Sequence, residues 1–389
     1  MRKKDTVDEL DANALAIATE LLLRRVEGRR VSLRELAKQY HTTASTLHRR
    51  LAKWAEERRF ELVDRLDGGT TARALGRDSG LEQRLVEGTK LLRARVVRIS
   101  GAEAAYTEEY LEDPGAQCAL KAYRAGDALH RTLAEETAKY FFEHLRRDMT
   151  IGLASGRGVG FTIERLRELV ENNPPWTRGN DSIRLVSLCG GARVGTWATP
   201  TDRDLDADEN VFVLATALNV PQDNVSYMGG WISMDRDRPE QELPRYELDL
   251  ALIGLGQLNT RHHFFHHYGE LQLGAVKEPL QRIKHWQSNN PALLHRVGEI
   301  GHRVFPVGGT EGLPEDLLEA IQEINKFIRA VPGETIGQAR EAILVAAGAQ
   351  KATVLSQLAK GMWSEAPIDP RGLTLITDAW TAEEILRTE

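Results

Sequence analysis

The sequence predicts a small all-helical helix-turn-helix unit followed by a larger α/β body built on a mostly parallel sheet. Three observations carry this reading. From residue 95 onward, short apolar runs alternate with amphipathic helical stretches, and most of those runs stop at Gly, Ser, Thr or Asp. Charge is divided: between Arg24 and Phe60, eleven Lys or Arg stand against four Asp or Glu, a balance of +7 that leaves −13 on the rest of a chain of net charge −6. Finally, Thr150–Leu166 reads as an apolar run, a glycine turn (Ser155-Gly156-Arg157-Gly158-Val159-Gly160) and a helix with Ile163, Leu166, Leu169 and Val170 on one face.

The basic module is expected to hold three helices. Leu15, Ala18, Leu21, Leu22 and Val26 share a face over residues 11–27, and Gly28 suits the end of that helix. Ser32-Leu33-Arg34-Glu35 is a capping box that starts a second helix carrying Leu33, Leu36 and Ala37. Thr42 or Thr43 caps a third, from Ala44 to about Arg58, with Leu47, Leu51, Trp54 and Ala55 inward. Its outward front half carries Ser45, Thr46, His48, Arg49 and Arg50, types that meet base edges and phosphates in a major groove. A solvated charged helix in a bundle would share part of this pattern. The charge asymmetry favours contact with double-stranded DNA through this end alone.

The expected boundaries are 1–66 for this module, 67–80 for a linker rich in glycine (Gly68, Gly69, Gly76, Gly80), and 81–389 for the body. In the body, a helix starts at Leu81, a strand covers Arg95–Ile99, and residues 103–145 are mainly helical. After the Thr150 unit come a loop at Asn172–Trp176, a strand at Ile183–Leu188 ending in Cys189-Gly190-Gly191, and a helix over Asp208–Leu218. Further strands are expected in Glu247–Gly254, Ile343–Ala347 and Leu373–Thr377, with Thr381-Ala382-Glu383-Glu384 capping the last helix. A parallel sheet of this kind places its ligand crevice at the carboxyl ends of the strands.

A glycine turn opening a helix lets backbone approach a ligand and presents unpaired N–H groups to an anion. Ser155, Gly156, Arg157 and Gly158 therefore form a candidate site for a small phosphorylated molecule, against the plain alternative of a tight βα turn. Lys351, just past the strand-ending Gly348, adds a point charge to a helix start. Gly156-x-Gly158-x-Gly160 is not the dinucleotide fingerprint, the next strand lacks an acidic end, and no phosphate loop of nucleotide triphosphatases occurs. Asp202-x-Asp204-x-Asp206-x-Asp208 imitates a calcium loop but has Ala207 and Val213 where Gly and Glu are required, so it reads as an acidic lead into a helix. His262-His263-Phe264-Phe265-His266-His267 lacks a carboxylate or cysteine at metal spacing and reads as loop or interface histidines. No metal or other cofactor is expected.

Two cysteines, Cys118 and Cys189, make no disulfide framework. No apolar run approaches the roughly 18 residues of a membrane span, and Met1-Arg2-Lys3-Lys4-Asp5 does not open a signal peptide. The expectation is a cytoplasmic protein with no membrane partner.

Several patterns fall into one order: L-A-K-Q-Y-H-T-T-A-S-T-L-H-R-R-L-A-K-W-A-E-E (36–57), L-E-Q-R-L (81–85), I-G-L-A-S-G-R-G-V-G (151–160), L-C-G-G (188–191), A-L-I-G-L-G (251–256), V-G-E-I-G (297–301), A-G-A-Q-K-A (347–352) and L-T-L-I-T-D-A-W-T-A-E-E-I-L (373–386). In this order the chain resembles the SorC/DeoR-type sugar-binding transcriptional regulators over residues 30–388. The resemblance implies a winged-helix-like or helix-turn-helix DNA reader, a Rossmann-like effector domain related to sugar-phosphate isomerases, a homo-oligomer (dimer or tetramer), and a sugar or sugar-phosphate effector. By position it implies a phosphate loop at Ser155, Gly156, Arg157 and Gly158. It also implies a crevice lined by Gly190, Gly191, Gly254, Gly256, Gln257, Glu299, Thr377 and Asp378, with Lys351 as the phosphate cation. The chain departs from that pattern at Gly158, where a hydroxyl residue is usual, at Glu299, where Asp is usual, at Ala347, where glycine is usual, and in the histidine-rich 261–267 stretch.

The rival reading is a sugar-phosphate isomerase or deaminase with an accessory N-terminal domain. After Gly254-Leu255-Gly256 the chain gives Gln257-Leu258-Asn259, without the carboxylate and histidine such chemistry would place there, although Glu299 and Asp378 could substitute. A regulator without enzymatic activity is the expectation.

Overall fold

The computed structural model describes residues 37–39, 42, 46–47, 73–100, 116–176, 180–190, 206–229, 246–257, 274–290, 296–307, 310–331, 333–348, 351–360 and 372–387. The chain divides into two compact units, Met1–Thr71 and Ala72–Glu389. In the first, Ala37 and Leu47, both expected to face inward, are buried at 2% and 0% exposure. The Ala37 carbonyl accepts the Thr42 N–H at 2.7 Å, and Thr46 lies in a helical turn. Thr43, Ser45, His48, Arg49 and Arg50 lie outside the described residues.

In the second unit, strand β1 (Arg73–Arg77) and helix α1 (Ser79–Gly88) lead into β2 (Arg93–Ser100). Residues 73–80, expected within a linker, are thus part of the body. Gly76, which suggested a linker, marks a β-bulge where the β1–β2 register shifts between Ala74 and Gly76. The Asp78 side chain caps α1 by accepting the Leu81 N–H at 3.0 Å.

Helix α2 (Ala116–His144) precedes β3 (Thr150–Leu153), α3 (Arg157–Glu171) and β4 (Arg184–Ser187). The Asn172–Trp176 loop contains a 3-10 turn at Pro174–Trp176. Next come α4 (Ala207–Leu218), β5 (Val225–Ser226), β6 (Leu250–Gly254) and β7 (Gly256–Gln257). Helix α5 (Gly274–Asn289), strands β8 (Val297–Ile300) and β9 (Arg303–Pro306), and helices α6 (Glu315–Phe327) and α7 (Gly333–Gly337) follow. The chain closes with β10 (Glu341–Val345), α8 (Ala352–Ala359), β11 (Leu373–Asp378) and α9 (Ala379–Arg387).

Eight strands form one sheet in the order β1-β2-β11-β10-β6-β3-β4-β5. Only β1 runs antiparallel to its neighbour; the other seven strands are mutually parallel. This is the expected α/β architecture. Strand side chains alternate between two apolar layers, as a period of two demands. Ile151, Leu153, Leu250, Leu252, Ile343 and Val345 pack with α2, α3 and α4 through Leu133, Phe141, Leu166 and Leu214. Ala251, Ile253, Ala342, Leu344 and Leu375 pack on the opposite face with α1, α6, α8 and α9 through Leu85, Ile321, Leu355 and Ile385. Strands covered on both faces become continuous apolar runs, which is why they were readable in the sequence.

A second, three-stranded antiparallel sheet, β7-β8-β9, was not anticipated. Two expected boundaries also move. Helix α9 starts at Ala379, capped by Asp378 through the Thr381 N–H at 3.0 Å, instead of being capped by Thr381. An aspartate leaving a strand is as good an N-cap as a threonine, so the earlier residue wins. Lys351 stands at the N-cap of α8, just before its first turn.

Candidate functional site

The sheet has a switch point. From β3 the chain moves outward to β4 and β5, whereas β6, on the other flank of β3, leads on to β10 and β11. Loops leaving β3 and β6 therefore part in opposite directions and open a crevice at their carboxyl ends. Ser155 follows β3 there, and Gly254 ends β6 so close by that a Cβ built on it would stand 3.6 Å from the Ser155 carbonyl oxygen. Gly156 then turns the chain at φ 121°, a region glycine tolerates, and α3 begins at Arg157 with no side chain capping its N-terminus. The first intrahelical bond is Gly160 N–H to the Gly156 carbonyl at 2.9 Å.

The small sheet supplies the facing wall. Strands β8 and β9 are joined by the two-residue turn Gly301-His302, with both residues left-handed at φ 55° and 66°. Two left-handed residues give the hairpin turn whose twist matches its strands. The turn packs on Cys189, 3.6 Å from a Cβ that Gly301 would carry. This brings His302 Nε2 within 3.0 Å of Ser155 Oγ, and His302 Nδ1 within 3.5 Å of Glu299 Oε1. Glu299 Oε1 also accepts the His302 backbone N–H at 2.8 Å. Cys189 Sγ completes the row, donating to Ser155 Oγ at 3.3 Å and accepting the Ser155 N–H at 3.4 Å.

Positive groups meet this row. The Lys351 ammonium is brought down to about 8, first by burial and then by the Arg157 guanidinium, with the Glu299 carboxylate working the other way. His130 on α2 is held well below the usual imidazole range by burial, then by Lys351 and Arg157, so it stands neutral at pH 7. Its Nδ1 is buried without a hydrogen-bond partner among the described residues. Burial pushes the Cys189 thiol up to about 12. The crevice thus has a cationic end, made by Arg157, Lys351 and the open start of α3. Its other end, made by Ser155, Glu299 and His302, can donate and accept hydrogen bonds. Such a pairing has the chemistry to bind a small hydroxylated anion.

No family model and no curated protein matches the sequence. Solved structures do. The full-length sorbitol operon regulator SorC from Klebsiella pneumoniae matches with a TM-score of 0.51 at 17% identity, over 99% of this chain and 100% of that one. A transcriptional regulator from Streptococcus pneumoniae TIGR4 matches with a TM-score of 0.51 at 14% identity, over 80% and 97%. The chain has the SorC regulator fold. At these identities the likeness is one of architecture, which agrees with the fold expected from the motif order.

Within the SorC fold, the structure brings Ser155, Gly156, Arg157, Gly158, Gly254, Glu299 and Lys351 together around the switch point. Gly256 and Gln257 lie on β7, paired with Glu299 and Gly298 of β8. Gly190 donates its N–H to the Arg329 carbonyl at 2.8 Å, while Gly191 lies outside the described residues. Thr377 and Asp378 are fully buried at the end of β11, and Asp378 is engaged by Thr381 through its N–H at 3.0 Å and its hydroxyl at 2.5 Å. The acidic loop behaves as read where it is described. Asp206 caps α4 through the Asp208 and Glu209 amides at 2.9 and 3.3 Å. Asp208 accepts from Ser187, Met228 and Gly229. The His262–His267 cluster lies outside the described residues. Sequence reading missed His130, Cys189 and His302 as members of the crevice. For His302 a signal existed: Gly301-His302 between V-G-E-I and R-V-F-P is a two-residue hairpin turn.

Proposed function

We propose that the chain is a DNA-binding transcriptional regulator whose operator affinity is controlled by a small sugar or sugar-phosphate bound in the crevice. The observation that carries this reading is the switch-point crevice with Arg157 and Lys351 at one end and Ser155, Glu299 and His302 at the other, in a body of SorC architecture. The basic front of the 44–58 stretch, with Thr42, Thr43, Ser45, Thr46, His48, Arg49 and Arg50, would be the reader of double-stranded operator DNA. A homo-oligomer, dimer or tetramer, would pair two readers on a palindromic site. A ligand shifts operator affinity only by as much as it prefers one arrangement of the protein over another. The reading places the protein in the cytoplasm, without metal or other cofactor.

A thermal-shift screen of phosphorylated and free sugars and polyols tests the effector half. Stabilisation by phosphorylated sugars supports it, and a neutral polyol that outperforms every phosphate overturns the anion site. Operator titrations of Arg49→Ala and Arg50→Ala over a range of salt test the reader. Weakened binding with a shallower salt slope is expected; wild-type affinity in both variants would remove the assignment.

A further inference from the structure

The hydrogen bonds through Ser155 have a direction. With its proton on Nδ1, 3.5 Å from Glu299 Oε1, the His302 imidazole leaves Nε2 as an acceptor. Nε2 lies 3.0 Å from Ser155 Oγ, which therefore donates its hydroxyl proton to the imidazole. Cys189 supplies the remaining donor to Ser155 Oγ, at 3.3 Å. Carboxylate, imidazole and hydroxyl are thus arranged in series, with the base oriented by a third group and within reach of the hydroxyl. The serine occupies the turn between a parallel strand, β3, and a helix, α3, whose positive dipole end favours a developing negative charge.

We infer that Ser155 is a nucleophile, with His302 as its general base and Glu299 as the group that orients the imidazole, and that the crevice hydrolyses a small anionic ester or lactone. The inference rests on the crevice reading above, because Arg157 and Lys351 would hold the anionic end of that molecule. In the step, Ser155 Oγ bonds to the acyl carbon while its proton passes to His302 Nε2. The bond from the acyl carbon to the leaving oxygen then breaks, and that oxygen takes the proton from His302. A water molecule next gives a proton to His302 and adds its hydroxyl to the acyl carbon, and Ser155 leaves with the proton returned. The sum is ester plus water giving acid plus alcohol, with no oxidant or further reactant. A lactone of a hydroxylated acid bearing a phosphate or carboxylate matches both ends of the crevice.

The test is labelling of the full chain with a fluorophosphonate probe, read by intact mass and peptide mapping, beside hydrolysis of p-nitrophenyl acetate. Wild-type protein should gain one adduct on the peptide that contains Ser155, and Ser155→Ala should gain none. His302→Gln should label at least about 100-fold more slowly, the usual loss on removing a general base. Circular dichroism and thermal melting of each variant confirm that it is folded. A folded wild-type protein without an adduct at Ser155, or equal labelling in folded His302→Gln, overturns the inference. A sugar-phosphate thermal shift on the same wild-type sample separates the two claims. A shift without an adduct leaves the crevice reading and removes the nucleophile. An adduct without a shift leaves the nucleophile and removes the sugar-phosphate reading.

Discussion

Gly158 lies against His130: a Cβ built on the glycine would stand 3.5 Å from His130 Nδ1 and 3.3 Å from Val345 Cγ1. The position where the motif pattern favours a hydroxyl is therefore adjacent to a buried imidazole nitrogen that lacks a partner among the described residues. The first turn of α3 has traded one hydroxyl for an open backbone above a neutral histidine.

Gly158→Ser should restore that hydroxyl. A serine costs a helix less than a glycine does, by a few tenths of a kcal/mol, and its Oγ would give His130 Nδ1 a partner. Val345 must yield by a few tenths of an ångström. The expected outcome is a higher denaturation midpoint, from an unfolding free energy greater by up to about 1 kcal/mol, with tighter binding of inorganic phosphate. A lower midpoint would show that Val345 holds its place and that glycine is required there by packing.

If the crevice binds an anion as proposed, Lys351 should make that binding depend on pH. Its folded-state pKa, about 8, lies below the ordinary 10.5, so the charged form is disfavoured in the fold. Below about 8 the lysine is charged in both folded and unfolded states, and the full cost of burying it is present. Between 8 and 10.5 the unfolded chain holds more protons, so this group's contribution to stability rises with pH while the cost is relieved. Phosphate affinity should run the other way, falling as pH rises through 8, with proton uptake on binding near that pH. Lys351→Ala should abolish the response to ligand, leave operator binding intact, and flatten the decline with pH. Calorimetry in two buffers of different ionisation enthalpy reads both effects, and wild-type ligand affinity in the variant would refute the lysine's role.

The parts of the fold that the sequence disclosed are those whose residues repeat a local rule. Ile343–Val345 and Leu250–Ile253 are apolar runs because helices cover both faces of their strands. Gly156, Arg157 and Lys351 stand out because a glycine turn or a helix start marks them. His302 and Ser155 are 147 residues apart, and what joins them is a hairpin turn docked on Cys189. Neither a period nor a spacing encodes that contact. The hairpin was missed because its strands are short, V-G-E-I interrupted by Gly298 and R-V-F-P ended by Pro306. His130 was hidden differently, within a long helix whose only visible signal was its apolar stripe.

Cys189 sits beside Ser155, yet its thiol should be inert. Burial pushes it up to about 12, and its exposure is 0%. The thiolate is the reactive form, and at pH 8 only about one part in ten thousand would be present. In a Cys118→Ser background, iodoacetamide at pH 8 should leave the native protein unmodified while alkylating it promptly in denaturant. Modification of the native protein at the rate of a free thiol would place Cys189 in solvent contact and loosen the docking of the Gly301-His302 turn.

Asp378 ties two crevice strands together. Its carboxylate accepts the Thr381 N–H at 3.0 Å and the Thr381 hydroxyl at 2.5 Å, and that hydroxyl in turn accepts the Gly348 N–H at 2.8 Å. The end of β11 is thereby fastened to the left-handed glycine (φ 117°) that follows β10 and precedes Lys351. Asp378 is fully buried, and burial raises its pKa against the hydrogen bonds from Thr381. Asp378→Asn keeps the acceptor for the Thr381 N–H but turns an amide donor toward the hydroxyl. That hydroxyl already receives Gly348 and would lose the acceptor for its own proton. The expected cost is about 1–3 kcal/mol, the usual range for a buried polar group left unsatisfied. Because the damage reaches the turn before Lys351, phosphate affinity should fall as well. Urea unfolding and phosphate titration of the variant measure the two losses, and a stability loss with wild-type phosphate affinity would confine Asp378 to capping α9.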